Sequence, residues 1–113
     1  MIDRISTHVL DTSIGKPAAG IPVLLELVDA DGATDEIGTG VTDIDGRVGQ
    51  LNQGPVEPGE YRLVFATADY FTTVHGAVFY PAIAIQVRLP AGREHFHIPV
   101  LASTFSYSTY LGS

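Results

Sequence analysis

Turn-forming residues break this sequence at short intervals, and that rhythm constrains the fold more than any other feature. Asp11 to Gly20, Asp29 to Gly32, Asp43 to Gly46, Gly54 to Gly59 and Pro90 to Gly92 are built around aspartate, glycine and proline, the residues that turns favour. The runs between them are short and rich in β-branched or alternating apolar residues, the pattern of half-buried strands. Strands are predicted over Arg4 to Leu10, Ile21 to Val28, Glu36 to Thr42, Arg47 to Asn52, Glu60 to Phe65, Ala82 to Leu89, Glu94 to Leu101 and Thr104 to Leu111. One short helix is predicted over Ala66 to Val74, with Thr67 as N-cap and Gly76 at its end. About eight short strands with one helix imply an all-β sandwich of two packed sheets.

With 113 residues the chain has room for a single domain, 1–113, around one core. No apolar stretch approaches the roughly 20 residues of a membrane-spanning helix, so no membrane partner is expected. Six basic residues against 13 acidic ones leave a net charge of −7, which repels phosphate backbones and argues against a nucleic-acid partner. There is no cysteine, which excludes disulfides, thiolate metal sites and thiol redox chemistry. That suits a reducing compartment, and the opening Met1 to Ser6 lacks the basic-then-apolar pattern of a secretory signal, so a cytoplasmic setting is expected.

Strand side chains alternate between two faces, which separates core positions from chemical ones. In the first strand Ile5, Thr7 and Val9 take the core side, and Arg4, Ser6, His8 and Leu10 the other. In the seventh, Phe96, Ile98 and Val100 form the apolar set, which puts His95, His97, Pro99 and Leu101 opposite. In the last, Phe105 and Tyr107 share one face, and Ser106, Ser108 and Tyr110 the other. A surface carrying His8, His97, Ser108 and Tyr110 beside Leu10, Pro99 and Leu101 is polar enough for chemistry but costly to leave in water. A second subunit is expected to cover it. Histidines on such a surface can act as general acids or bases near neutral pH. Arg47 follows the Asp43 to Gly46 turn at a strand rim, where a guanidinium can orient an anion or polarise a carbonyl.

These residues also carry a family resemblance that spans nearly the whole chain. Thr7-His8-Val9-Leu10-Asp11, followed by Gly15-Lys16-Pro17-Ala18, resembles the opening motif of the 5-hydroxyisourate hydrolases, transthyretin-like enzymes of urate breakdown. Thr42-Asp43-Ile44-Asp45-Gly46-Arg47 is similar to their arginine motif, and His95-Phe96-His97-Ile98-Pro99-Val100-Leu101 to their His-aromatic-His-aliphatic-Pro strand. Tyr107-Ser108-Thr109-Tyr110-Leu111-Gly112-Ser113 resembles their C-terminal signature. The resemblance implies a transthyretin-like (prealbumin-like) two-sheet sandwich, assembled as a homotetramer with sites at the dimer-dimer interface. It implies His8, Arg47 and His97 as catalytic residues and Tyr110, Ser113 and His95 as substrate-binding ones. It also implies a purine-derived substrate, no cofactor and no metal. The implied reaction opens the six-membered ring of 5-hydroxyisourate by water attack. One departure stands out: the family tail usually reads Tyr-Arg-Gly-Ser, and Leu111 replaces its arginine.

Other residues have plainer readings. His75 is expected at the surface, Asp11 and Asp43 in turns, Tyr107 in the core with its hydroxyl satisfied, and Arg4, Arg62, Arg88 and Arg93 in solvent. His8, His95 and His97 could mark zinc, but a His-x-His pair plus one distant histidine is weak evidence for it. Two rival functions remain, a non-catalytic transthyretin-like small-ligand binding protein and a structural β-module of the surface-adhesin kind. Neither needs paired titratable groups facing Arg47, and the only lysine, Lys16, is expected off any strand that could carry an amide crosslink.

Overall fold

The computed structural model describes residues 1–113. The elements run β1 (Arg4–Asp11), β2 (Lys16–Pro17), β3 (Pro22–Val28), β4 (Thr34–Val41), β5 (Arg47–Val48), β6 (Gly59–Ala66), α1 (Ala68–His75), β7 (Ala82–Leu89), β8 (His95–Ala102) and β9 (Tyr107–Thr109). They form the expected pair of sheets. One has the order β4-β3-β6-β7; the other has the order β2-β1-β8-β9, with β5 also paired to β1. Ile5 and Val9 of β1 and Phe96, Ile98 and Val100 of β8 are buried in one core with Leu25, Leu63, Phe65 and Ile83 of the facing sheet. Each such side chain contributes roughly 1.5–3 kcal/mol by leaving water.

The boundaries differ from expectation for local reasons. Lys16 and Pro17 pair with Asp11 and Leu10, so Lys16 does lie on a strand, though one of only two residues. The strand expected over Arg47 to Asn52 contracts to Arg47–Val48, because Asn52 is pinned instead to the start of β1. Its side chain accepts the Ile5 N–H at 2.9 Å and donates to the Asp3 carbonyl at 2.8 Å. The last strand shrinks to Tyr107–Thr109, because a turn bonds Ser103 N–H to the Ser106 carbonyl at 2.8 Å.

Helix α1 begins after Thr67, as expected, but the Thr67 hydroxyl donates to the Tyr80 carbonyl at 2.6 Å and makes no cap bond to the helix. The helix is docked by Asp11, whose side chain is wholly buried. Asp11 receives Tyr70 OH at 2.8 Å, His75 Nε2 at 2.6 Å and the Ser13 N–H at 3.0 Å. His75 is therefore part of the helix dock rather than a surface residue, with its side chain only 15% exposed. Tyr107 also departs from expectation. It is 39% exposed, with its ring edge-on to Tyr80.

The pairing of β1 positions the chemistry. It runs parallel to β8, setting Arg4 opposite His95 and Ser6 opposite His97. On its other edge it runs antiparallel to β5, setting His8 opposite Arg47. Directly paired residues share a sheet face. One face of three strands, turned away from the core, thus gathers all six side chains.

Candidate active site

On that face lies an open cleft of about 290 Å³, lined by Arg4, Ser6, Arg47, His95, His97 and Ser113 among others. The His8 ring stands beside it, with its centroid 6.5 Å from that of His97. Arg47 is held there by a tight turn in which the Asp43 carboxylate accepts the N–H groups of Asp45 and Arg47, each at 2.9 Å. Gly46 closes this turn with φ +75°, and a Cβ at that position would come within 2.4 Å of the Val9 carbonyl oxygen. Only glycine lets the turn lie this close to β1.

A hydrogen-bond chain crosses the cleft floor. Arg4 reaches His95 Nδ1 at 3.2 Å, and the Ser6 hydroxyl bridges His95 Nε2 at 2.7 Å and His97 Nδ1 at 2.8 Å. Burial pushes the His97 imidazole below its ordinary value, and the neighbouring charges of His8, His95, Arg47 and Arg4 push the same way. Burial likewise lowers His95, assisted by Arg4 and Arg93. Both rings are therefore neutral at neutral pH, the form able to exchange or share protons with a reacting group.

The tail is fastened to this cleft. The Gly112 N–H donates to the His97 carbonyl at 2.8 Å, and Arg93 donates to the carbonyls of His95 at 2.9 Å and Gly112 at 2.8 Å. A Cβ on Gly112 would sit 2.7 Å from His97 Cδ2, so the tail passes directly over the ring. Arg93 also lies over the Phe96 ring, 5.1 Å from its centroid. This anchoring brings Ser113 to the cleft without an arginine at position 111.

The structure thus brings together His8, Arg47, His95, His97 and Ser113. Tyr110 is the exception, because β9 ends at Thr109 and the strand alternation does not carry past it. Tyr110 and Leu111 line a separate, largely apolar cleft of about 450 Å³ between the edges of β7 and β9. That cleft is larger but holds no histidine, whereas His8, His95, His97 and Arg47 line or border the smaller one. Arg4 is exposed, as expected, yet also reaches His95, whereas Arg93, expected in solvent, is half-buried and bonds to the carbonyls of His95 and Gly112. Their roles depend on strand register and on a contact with Gly112, neither of which spacing reveals. Ser6 was visible on the histidine face, but nothing in its residue type marked it as a bridge. The three histidines do not form a group that could hold a metal ion, since Ser6 and Arg4 occupy the nitrogens of His95.

Comparison with known proteins shows the family to which the chain belongs. The HIUase/Transthyretin family model matches residues 5–112. The chain is 41% identical over 110 residues to the 5-hydroxyisourate hydrolase of Salmonella typhimurium, covering 96% of this chain and 80% of that one. Among solved structures it resembles Klebsiella pneumoniae 5-hydroxyisourate hydrolase with a TM-score of 0.81 at 32% identity, covering 97% and 99% of the two chains. It also resembles sea bream transthyretin in complex with thyroxine, with a TM-score of 0.86 at 31% identity and coverage of 96% and 94%. A hydrolase and a transthyretin in complex with thyroxine share this architecture, so the sandwich alone does not choose between them. The chain belongs to the HIUase/Transthyretin family.

Proposed function

We propose that this protein is a 5-hydroxyisourate hydrolase of urate degradation, working without a cofactor. The observation that carries the reading is the meeting of two histidines from β1 and β8 with the guanidinium of β5 at one cleft. Water attacks a ring carbonyl of the substrate while a histidine takes its proton, an assistance worth about 10²–10⁴ in rate. Arg47 meets the oxygen that gains charge, a stabilisation of several kcal/mol in a dry site. His95 and Ser113 border the bound ring.

The cleft is open on one side in a single protomer, and Phe79, Phe105, Tyr110 and Leu111 remain more than half exposed. Assembly as a homotetramer, with sites at the dimer-dimer interface, would cover such surfaces. Tyr110 then contributes through assembly, since within one protomer it lines the other cleft. The absence of cysteine fits work in the reducing cytoplasm.

The test is the ultraviolet decay of freshly generated 5-hydroxyisourate. Wild type should accelerate it, and His8→Ala, Arg47→Ala and His97→Ala should each lose roughly 100-fold or more in kcat/KM. Decay at the spontaneous rate with wild type would favour the small-ligand binding protein. Folded variants that match wild type would remove these residues from the reaction.

A further inference from the structure

We infer that Ser6 is a positioning residue that locks His97 as the Nε2–H tautomer, making His97 a hydrogen-bond donor to the developing oxyanion and leaving His8 as the general base. The inference rests on the hydrolase reading for its catalytic part. Its tautomer part stands on the hydrogen-bond geometry of two neutral rings and does not depend on that reading.

The argument starts from a group with no choice. A guanidinium can only donate, so His95 Nδ1, 3.2 Å from Arg4, accepts. A neutral imidazole carries one proton, and with Nδ1 accepting, that proton is on Nε2. His95 Nε2–H therefore donates to the Ser6 oxygen at 2.7 Å. The Ser6 hydroxyl has one hydrogen, and its remaining partner is His97 Nδ1 at 2.8 Å. Ser6 donates there, His97 Nδ1 accepts, and the His97 proton sits on Nε2.

Each link leaves the next a single arrangement, as long as both rings stay neutral. The groups acting on His97 are Arg4 and His8 of β1, Arg47 of β5 and His95 of β8, all cationic when charged. Arg4 and Arg93 act on His95 in the same sense. These surroundings hold both imidazoles in the neutral form the chain requires.

This orientation divides the labour between the histidines. A neutral His97 with its Nδ1 engaged and a hydrogen on Nε2 has no lone pair with which to take a proton from water. His8, which makes no side-chain hydrogen bond within the protomer, keeps one. Water then adds to the carbonyl carbon as its proton passes to His8, and the carbonyl oxygen takes the negative charge. His97 Nε2–H and Arg47 hydrogen-bond to that oxygen. As the intermediate collapses, the carbon–nitrogen bond breaks and the departing nitrogen takes the proton back from the His8 imidazolium. One water is consumed and His8 ends as it began.

The experiment combines nitrogen-15 histidine NMR of the free protein at about pH 8, above the ordinary imidazole value, with steady-state kinetics. Wild type should show His97 with an unprotonated Nδ1 and a protonated Nε2. Ser6→Ala should release the ring into a mixture of tautomers and lower kcat by roughly 10- to 100-fold with little change in KM. Ser6→Thr, which keeps the hydroxyl, should restore both. Arg4→Met is a second route: it frees His95 Nδ1, so the chain can reverse and the His97 signal should shift toward Nδ1–H.

A wild-type His97 protonated on Nδ1 would overturn the inference, as would Ser6→Ala with an unchanged tautomer or an unchanged kcat. If the NMR pattern is found but wild type fails to hydrolyse 5-hydroxyisourate, the catalytic division falls with the hydrolase reading and the tautomer lock remains.

Discussion

The guanidinium of Arg93 donates to the carbonyl of Gly112 at 2.8 Å, and through Gly112 it fixes where the tail lies over His97. The bond comes from the turn before β8 and joins the Gly112 N–H bond to the His97 carbonyl in holding the tail. Arg93→Met keeps the apolar stem but removes two charge-assisted bonds, each ordinarily worth about 1.5–3 kcal/mol. Much of that is lost locally as tail freedom. The expected result is a roughly tenfold fall in kcat/KM and faster trimming of the tail by carboxypeptidase. Equal trimming rates would show that Arg93 does not anchor it.

Gly112→Ala tests the same contact from the other side. The added methyl would lie 2.7 Å from His97 Cδ2, so either the ring or the tail must move. Gly112 is buried against His97 although it lies outside the strands, so the extra methyl should cost about 1–3 kcal/mol unless the tail lifts away. Activity should fall by about tenfold or more, and a variant with wild-type kcat and KM would mean the two need not touch during turnover.

Asp11 offers a stability prediction remote from the cleft. Burial alone would raise its carboxyl, but bonds from His75, Tyr70 and Ser13, with the charge of His75, leave it below its ordinary value of 3.8. Its contribution is therefore present above that pH and is lost as pH falls through the lowered native value. Asp11→Asn should cost about 3 kcal/mol in urea unfolding at neutral pH, because a buried network loses its charge and one of its two acceptor oxygens. It should also flatten the acid limb of the stability curve. A neutral-pH midpoint equal to wild type would deny Asp11 its docking role.

His95 and His97 give the opposite window. Their native values lie below the ordinary 6.5, so on acidification the unfolded chain takes up protons before the folded one does. Stability should thus decline as pH drops from about 6.5 toward the lowered native values, and this contribution should level off below them. His97→Gln removes one of these titrations, and its urea midpoint should vary less across that range. A wild-type midpoint that climbs on acidification there would contradict the assignment of both rings as neutral.

Much of this was legible in the sequence because strands of period two expose their logic. Ile5, Thr7 and Val9, and Phe96, Ile98 and Val100, read as core sides, and His8 and His97 as the reverse, as the burial pattern bears out. The helix and its Thr67 and Gly76 boundaries followed from local chemistry. What alternation does not carry is register between distant strands. Nothing local says that Ser6 stands opposite His97 or Arg4 opposite His95, since those pairs are 91 residues apart. For that reason spacing reveals neither the bond of exposed Arg4 to His95 nor the hold of Arg93 on the tail. Alternation does not fix the face of Tyr110 within a protomer, because pairing stops at Thr109. Asp11 was read as a turn residue, which its bond to Ser13 supports, but its hold on Tyr70 and His75 depends on where a helix lands.

The parallel pairing of β1 with β8 also sets the order in which this protein can become competent. Strand β1 emerges from the ribosome with its β8 partner missing, and that edge stays open until His95–Ala102 have been made. Local hairpins such as β3 with β4 can form meanwhile, but the closing step joins segments far apart in sequence and is intrinsically slow. The nascent chain thus carries a bare, aggregation-prone edge until β8 emerges. No truncated product ending before β8 can assemble the cleft, however well its other sheet folds.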